Sequence, residues 1–375
     1  MHFKANDVSC PASSKLGNHL IKLVRRLKLN RRICLALIFV SGGACAQSSV
    51  TLWGRVDAGV QYLTDVASQK GSRSNLWSMD SGDAGASAWG INGVEDIGNG
   101  YKINFKLLDY ILLTNGMSSN PFWQNAYVGM SGPFGSFRMG RDNAIVKDGT
   151  YDYDPFYQQH IGMESLVRGA NWPNLSNTFS YYSPSFAGFD VGFQYSLSGV
   201  PGQFNSGRAS GVQLTYRFGA FSTRAVYQEI RDANSQFSDL FAAQKQVFIG
   251  AGYTGSLFKI QAAYTFMAAP QAPATSPRYA DYVWAGVTYN ALGPFKVVVG
   301  GAWLHQRDGH GNATLLAIGP TYNLSKRTYL YTTAGYVING KNTNFSPVEQ
   351  PVGSAMNPAI GHNQFGLFSG IMHYF

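Results

Sequence analysis

The chain has 375 residues, of which 45% are hydrophobic and 14% aromatic, with 43 glycines, yet only 13% are charged. Charge that sparse, about half the usual share, argues against an exterior wholly in contact with water. The formal charge of +9 points to nucleic acid only until the cations are located, and their location removes that partner.

Eight cations (Lys4, Lys15, Lys22, Arg25, Arg26, Lys28, Arg31 and Arg32) precede residue 33, against the single anion Asp7. The stretch RRLKLNRRICLALIFVSGGACAQ joins this basic segment to an apolar run, Ile33 to Val40, and then to Ala44-Cys45-Ala46 before Gln47. That is the layout of a secretory signal with a small-x-small cleavage site, and the apolar run is too short to span a bilayer. Residues 1–46 are therefore expected to be a signal sequence, whose removal leaves 21 cations against 19 anions, about +2. Cys10, Cys34 and Cys45 all fall within it, so thiol and disulfide chemistry are not expected of residues 47–375. Lipid attachment at Cys45 is disfavoured, because Gly42-Gly43-Ala44 lacks the leucine expected three residues before a lipidated cysteine.

From Val50 onward the period is two. VTLWGRVDAGVQY puts Val50, Leu52, Val56, Ala58, Val60 and Tyr62 on one face, and Thr51, Arg55, Asp57 and Gln61 on the other. YKINFKL, FDVGFQYSL, VQLTYRF and FKIQAAYTF repeat the alternation. About sixteen such segments follow one another, many near the ~10 residues a tilted strand needs to cross a bilayer. Short connections join them in pairs: EDIGNG, SGPFG, SPSFAGF, RFGAF, TGSLF, NALGPF and NLSKRT. Longer polar stretches, such as 64–85, 231–244, 268–280 and 339–362, separate the pairs. Backbone groups in lipid must all be paired internally, which leaves a closed barrel as the all-strand solution. The expected fold is all-β: a transmembrane antiparallel β-barrel of sixteen strands, with short periplasmic turns and long external loops. A soluble sandwich also alternates, but one face here is too polar for a packed core, and an enclosure of this size holds water.

The longest segment without strand character is 142–176, after the fifth strand, with Asp148, Asp152, Asp154 and Glu164 as its acids. Loops this long are usually functional. Parity points Arg55, Lys106, Arg138 and Arg224 inward, ~10–20 Å up the wall at ~3.3 Å per residue. Lys102, Arg217, Lys259 and Lys296 are also inward but nearer the turns, at the expected periplasmic mouth. Thr51, Asp57, Gln61, Gln194, Gln213 and Gln261 complete an inward polar set expected to keep the wall wet. At the end, FGLFSGIMHYF puts Phe365, Leu367, Ile371 and Phe375 on the lipid side of a strand that closes against the first.

The stretches SSVTLWGRVDAGV, GVEDIGNG, NAYVGMSGPFGSFRMGRDN, SYYSPSFAGFDVGFQY, LSKRTYLYTTAGYV and GIMHYF give this chain its resemblance to a family. Over essentially all of 47–375 it resembles the trimeric general porins of Gram-negative bacteria, of the Burkholderia, Bordetella and Neisseria type. The resemblance implies a homotrimer in outer-membrane lipid and a third external loop folded into the lumen to face basic wall residues. Opposed charge there would make a transverse field that filters ions. It further implies that Phe375, with Ile371 and Leu367, is read by the barrel-assembly machinery, and that small hydrophilic solutes and ions diffuse passively without any cofactor. Arg55 matches a basic position in related porins. Where enterobacterial relatives carry an arginine cluster, this chain has Ala88, Gln124 and Tyr182, so the field is expected to be weaker or built from other residues. The inward excess of Lys and Arg predicts a mild anion preference.

Other chemistries fit less well. KDGTYDYD lacks the spacing of a calcium loop, and Trp53, Tyr153 and Phe156 are too scattered to define a sugar track. None of His160, His305, His310, His362 and His373 sits in a nucleophile motif, so no enzyme, catalytic residue or metal is expected. A plugged, energy-coupled transporter is not expected either, since the first strand follows the cleavage site. Two readings of transport stand at this point: a general pore, or a channel specific for one solute class.

Overall fold

The computed structural model describes residues 48–67, 72–118, 121–290 and 293–375; the expected signal sequence lies outside them. The strands are β1 (Ser48–Ala67), β2 (Arg73–Ser81), β3 (Ala88–Gly98), β4 (Tyr101–Leu112), β5 (Met117–Ser118) and β6 (Asn125–Gly132). Next come β7 (Gly135–Asn143), β8 (Asn174–Tyr182), β9 (Phe189–Ser196), β10 (Ala209–Phe218), β11 (Phe221–Ile230) and β12 (Lys245–Thr254). The rest are β13 (Phe258–Ala268), β14 (Tyr279–Asn290), β15 (Phe295–Gln306), β16 (Gly311–Asn323), β17 (Thr328–Asn339) and β18 (Gln364–Tyr374). Setting aside β2 and β5, sixteen strands pair antiparallel with their neighbours in chain order. β1 and β18 close the ring, in register from Arg55–Tyr374 to Leu63–Gly366.

Alternation sets which side meets lipid. In β12, Val247 and Ile249 point outward and are exposed, while Gln246 and Phe248 point inward and are buried. β11, β13 and β14 repeat the pattern. The outer face is thus a continuous apolar belt, the only surface a bilayer accepts from a barrel. The expected short connections all fall between paired strands, although residues 291 and 292 of one lie outside the described set. At the β3–β4 turn, Asn99 and Gly100 have φ of 55° and 79°. Positive φ at both central positions is what a two-residue hairpin matched to strand twist requires.

One expected loop is largely strand. The stretch 64–85 continues β1 to Ala67 and then folds back as β2, paired with the second half of β1. The first half of β1 pairs with β3. Thus β2 and β3 together make the second wall strand, interrupted by an excursion at 82–87. The sequence of 64–75, TDVASQKGSRSN, lacks apolar alternation and so carries no period-two signal.

The buried apolar core is inside the ring. Between β7 and β8 the chain leaves the wall, forms helix α1 (Ile145–Tyr151) and a 3-10 turn (Met163–Val167), and packs against inward side chains such as Phe248, Trp284, Leu304 and Leu315.

Candidate functional site

Residues 144–173 cross the interior because the wall is built to receive them. The first amides of α1 have no side-chain cap of their own, and a helix start leaves such donors unpaired. Wall glutamines accept them instead: Ile145 N donates to Gln194 Oε1 at 2.8 Å and Val146 N to Gln228 Oε1 at 3.1 Å. Further along, Gln261 Nε2 donates to the carbonyls of Asp152 (2.8 Å) and Asp154 (3.1 Å), and Trp284 Nε1 to that of Tyr153 (3.0 Å). The Tyr282 hydroxyl donates to the Met163 carbonyl.

Glycines make room for the loop. A Cβ on Gly250 would lie 2.5 Å from Tyr153 Cγ, one on Gly286 2.6 Å from Pro155 Cγ, and one on Gly300 3.1 Å from Phe156 Cε2. A Cβ on Gly211 would meet Ile145 at 2.5 Å, and one on Gly335 would meet Ile161 at 2.8 Å. From β10 to β17 the inward face is therefore a recessed seat. Tyr153, Phe156, Ile161 and Met163 fill it and are fully buried.

The four loop acids separate into two pairs. Asp148 and Asp152 are the less buried pair; Asp152 keeps 57% of its side chain exposed, and Asp148 accepts from Asn143 Nδ2 at 2.7 Å. Asp154 and Glu164, expected beside them, are wholly buried on the seat side. Asp154 folds the loop on itself, accepting from Phe156 N (2.8 Å) and Gln158 N (2.9 Å), and burial pushes its carboxyl up to about 7. Glu164 accepts from Asn171 Nδ2 at 3.1 Å, and burial drives its carboxyl well above the ordinary range. Both are structural groups, because a long loop that folds back must bury some of its own polar atoms. The loop is also shorter than 142–176: β7 runs to Asn143 and β8 starts at Asn174.

The basic wall divides in the same way. Arg224 is 6% exposed and locked into the loop: its Nη1 reaches Asp152 Oδ2 (3.0 Å) and the carbonyls of Asp148 (3.1 Å) and Gly149 (3.3 Å). Arg138 pairs with Asp142 at 3.3 Å and is flanked by the rings of Tyr127 and Tyr182, each 5.1 Å away. Lys106 lies over the Trp53 ring at 5.9 Å, and Arg55 Nε donates to the Ala86 carbonyl at 2.7 Å. Among the described residues, neither Lys106 nor Arg55 forms an ion pair. Lys259, expected at the mouth, instead supports the loop through the Tyr157 hydroxyl at 3.1 Å. Asp57, Gln61, Gln194, Gln213 and Gln261, expected to wet the wall, are buried. Sequence reasoning missed the seat, although inward glycines on β12, β14, β15, β16 and β17 were a readable signal.

At the ring closure, Phe375 N donates to Gly54 O at 3.0 Å and Gly54 N returns a bond to Phe375 O at 3.1 Å. The Phe375 ring covers Gly54, whose Cβ would fall 2.2 Å from Phe375 Cζ. Ile371 and Phe375 are exposed on the outer face, and Leu367 lies on the same side, partly covered.

A closed barrel with a lipid-facing belt, crossed inside by one loop, has a direct counterpart: the family model for Gram-negative porins matches residues 34–343. The chain belongs to the Gram-negative porins. It is 29% identical over 357 residues to outer membrane porin protein 32 of Delftia acidovorans, covering 92% of this chain and 99% of that one. Against an outer membrane porin protein of Bordetella pertussis it is 26% identical over 377 residues, covering 86% and 96%. A solved anion-selective porin from Comamonas acidovorans superposes with a TM-score of 0.75 at 26% identity, over 88% of this chain and 100% of that one. A trimer form of OmpT from Vibrio cholerae, 16% identical, shares the fold with a TM-score of 0.62 over 88% and 99%. This porin is an outer-membrane protein, and its barrel is a channel for passive diffusion across that membrane.

Proposed function

We propose that the porin passes small hydrophilic solutes and ions with a mild preference for anions, and that residues 144–173 form its constriction. One observation carries this reading. Arg224 and Arg138 are paired with Asp152 and Asp142, whereas Arg55 and Lys106 on the wall form no ion pair among the described residues. A pore whose unpaired charge is positive concentrates anions. The likeness to a porin described as anion-selective supports the same sign. Reversal potential across a KCl gradient in a planar bilayer tests it: an anion-selective sign is expected, and a cation-selective one refutes the reading. A general pore is the companion expectation, with conductance rising in proportion to bulk conductivity; saturation with a solute would indicate a specific channel.

The finer partners belong to the same proposal. The porin works as a homotrimer, supported by the recorded trimer of a fold relative and by Trp77 and Met79, exposed at 68% and 69% on the outer face. Residues 1–46 direct export, and Phe375 with Ile371 and Leu367 is the assembly signal. Porins are channels, so neither catalysis nor a cofactor enters this account.

A further inference from the structure

Three segments far apart in sequence meet inside the barrel at His160 and Ile161. On one side lies the 82–87 excursion: His160 N donates to the Asp83 carbonyl at 3.1 Å, and Ile161 N to Asp83 Oδ1 at 3.0 Å. On the other lies the connection 340–363: Glu349 N donates to the His160 carbonyl at 3.2 Å, and Val348 forms an antiparallel bridge with Ile161. Arg168 extends this second contact, reaching the Gln350 carbonyl at 3.0 Å and Asn344 Oδ1 at 3.1 Å. Asp83, Ile161 and Val348 are all buried. The far end of the constriction loop is thus stapled from two sides.

Asp83 is the unusual member. Its Oδ2 is buried without a hydrogen-bond partner, and no cation pairs with it among the described residues. The groups around it are mostly acids. Asp57 of β1 grips the same excursion, accepting from Ala84 N (2.9 Å) and Gly85 N (3.1 Å) on one oxygen and from the Tyr331 hydroxyl of β17 (2.7 Å) on the other. Asp80 of β2 lies within electrostatic range, and the nearby cation, Arg55, is turned to the Ala86 carbonyl. On the loop side the neighbour is His160, whose imidazole burial pushes below its ordinary range. On the 340–363 side, the charged neighbours of His160 and Ile161 are Glu349 and, through it, Arg168. Burial first, and then the like charges of Asp57 and Asp80, push the Asp83 carboxyl well above its ordinary range. Asp83 therefore holds its proton more tightly while the staple is shut than once it reaches water. The shut form is favoured at low pH and weakens as pH rises through the raised value.

We propose that Asp83 is the positioning residue of the constriction loop, and that loss of its proton frees the His160–Ile161 end and unsettles the channel. This rests on reading 144–173 as the constriction, and the test separates the two. Single-channel current and amide exchange at His160 and Ile161 are measured from pH 6 to pH 10 on the wild type, Asp83→Asn and Asp83→Ala. Wild-type current is expected to be steady at the acid end and to fluctuate at the alkaline end. Asp83→Asn keeps the acceptor and cannot ionise, so it stays steady throughout. Asp83→Ala fluctuates at every pH, with Ile161 exchange about fivefold faster, the factor for one lost hydrogen bond of ~1 kcal/mol. An alkaline transition that persists in Asp83→Asn, or Asp83→Ala behaving as wild type, overturns the proposal. Faster exchange in Asp83→Ala with unchanged current overturns the constriction reading, and the channel effect with it, while the staple itself stands. If Asp83→Ala does not assemble, the pH profile of Asp83→Asn decides alone.

Discussion

The two halves of the barrel wall obey the same rule outside and different rules inside. From β9 to β17 most inward positions are glycine, alanine, threonine, glutamine or large aromatic and aliphatic groups, many of them buried. From β1 through β8 the wall left bare by the loop carries Arg55, Lys106, Arg138, Tyr127 and Tyr182 facing the passage. Lipid asks the same of every outward residue. What an inward residue must be depends on whether water or folded chain lies against it. On one half charged side chains are left facing the passage, whereas on the other the same residue types hold backbone in place, as Arg224 does.

Changes to the covered half should cost stability and move the loop. Gly286→Val is expected to have the largest effect, since its Cβ would meet Pro155 at 2.6 Å and the immovable Val299 carbonyl at 2.8 Å. Overpacking of this kind costs about 1–3 kcal/mol, and displacement of the loop off its seat toward the bare wall should narrow the pore; thermal unfolding and single-channel conductance read the two effects. Arg224→Met comes next. It removes the hydrogen bonds to Asp152 and to the Asp148 and Gly149 carbonyls and frees Asp152, so conductance should rise while anion preference falls.

A pH-dependent effect belongs to Asp154. Its carboxyl, pushed up to about 7 from 3.8, binds a proton more tightly in the folded loop than in the unfolded chain. The contribution is full below pH 4 and is lost as pH rises through about 7, at no more than about 1.4 kcal/mol per pH unit. Melting temperature should fall between pH 5 and pH 8 in the wild type, and Asp154→Asn should flatten that slope.

Much of the barrel was legible because lipid imposes a local rule. Outward alternation and turns such as Asn99-Gly100 each depend on a few neighbouring residues. Parity also put Arg55, Lys106, Arg138 and Arg224 on the inner side. It could not say that Gln194 and Gln261 bind loop backbone instead of water, or that Asp154 and Glu164 turn away from the passage. Those assignments depend on how residues 144–173 fold back, a long-range event with no period. The extension of β1 and β2 was missed for the complementary reason: TDVASQKGSRSN lacks the apolar alternation that identifies a strand.

On the bare half, replacing the cations that form no ion pair should barely touch stability, within about 0.5 kcal/mol, yet alter selectivity. The direct test is to compare reversal potentials of the wild type, the variant Arg138→Gln/Asp142→Asn, which removes a cation together with its anion, and the variant Arg55→Glu/Lys106→Glu across one KCl gradient. The wild type is expected to be anion-selective, Arg138→Gln/Asp142→Asn to change little, and Arg55→Glu/Lys106→Glu to invert to cation selectivity. An Arg55→Glu/Lys106→Glu variant that kept the wild-type potential, or an Arg138→Gln/Asp142→Asn variant that inverted it, would contradict the division between free and neutralised cations.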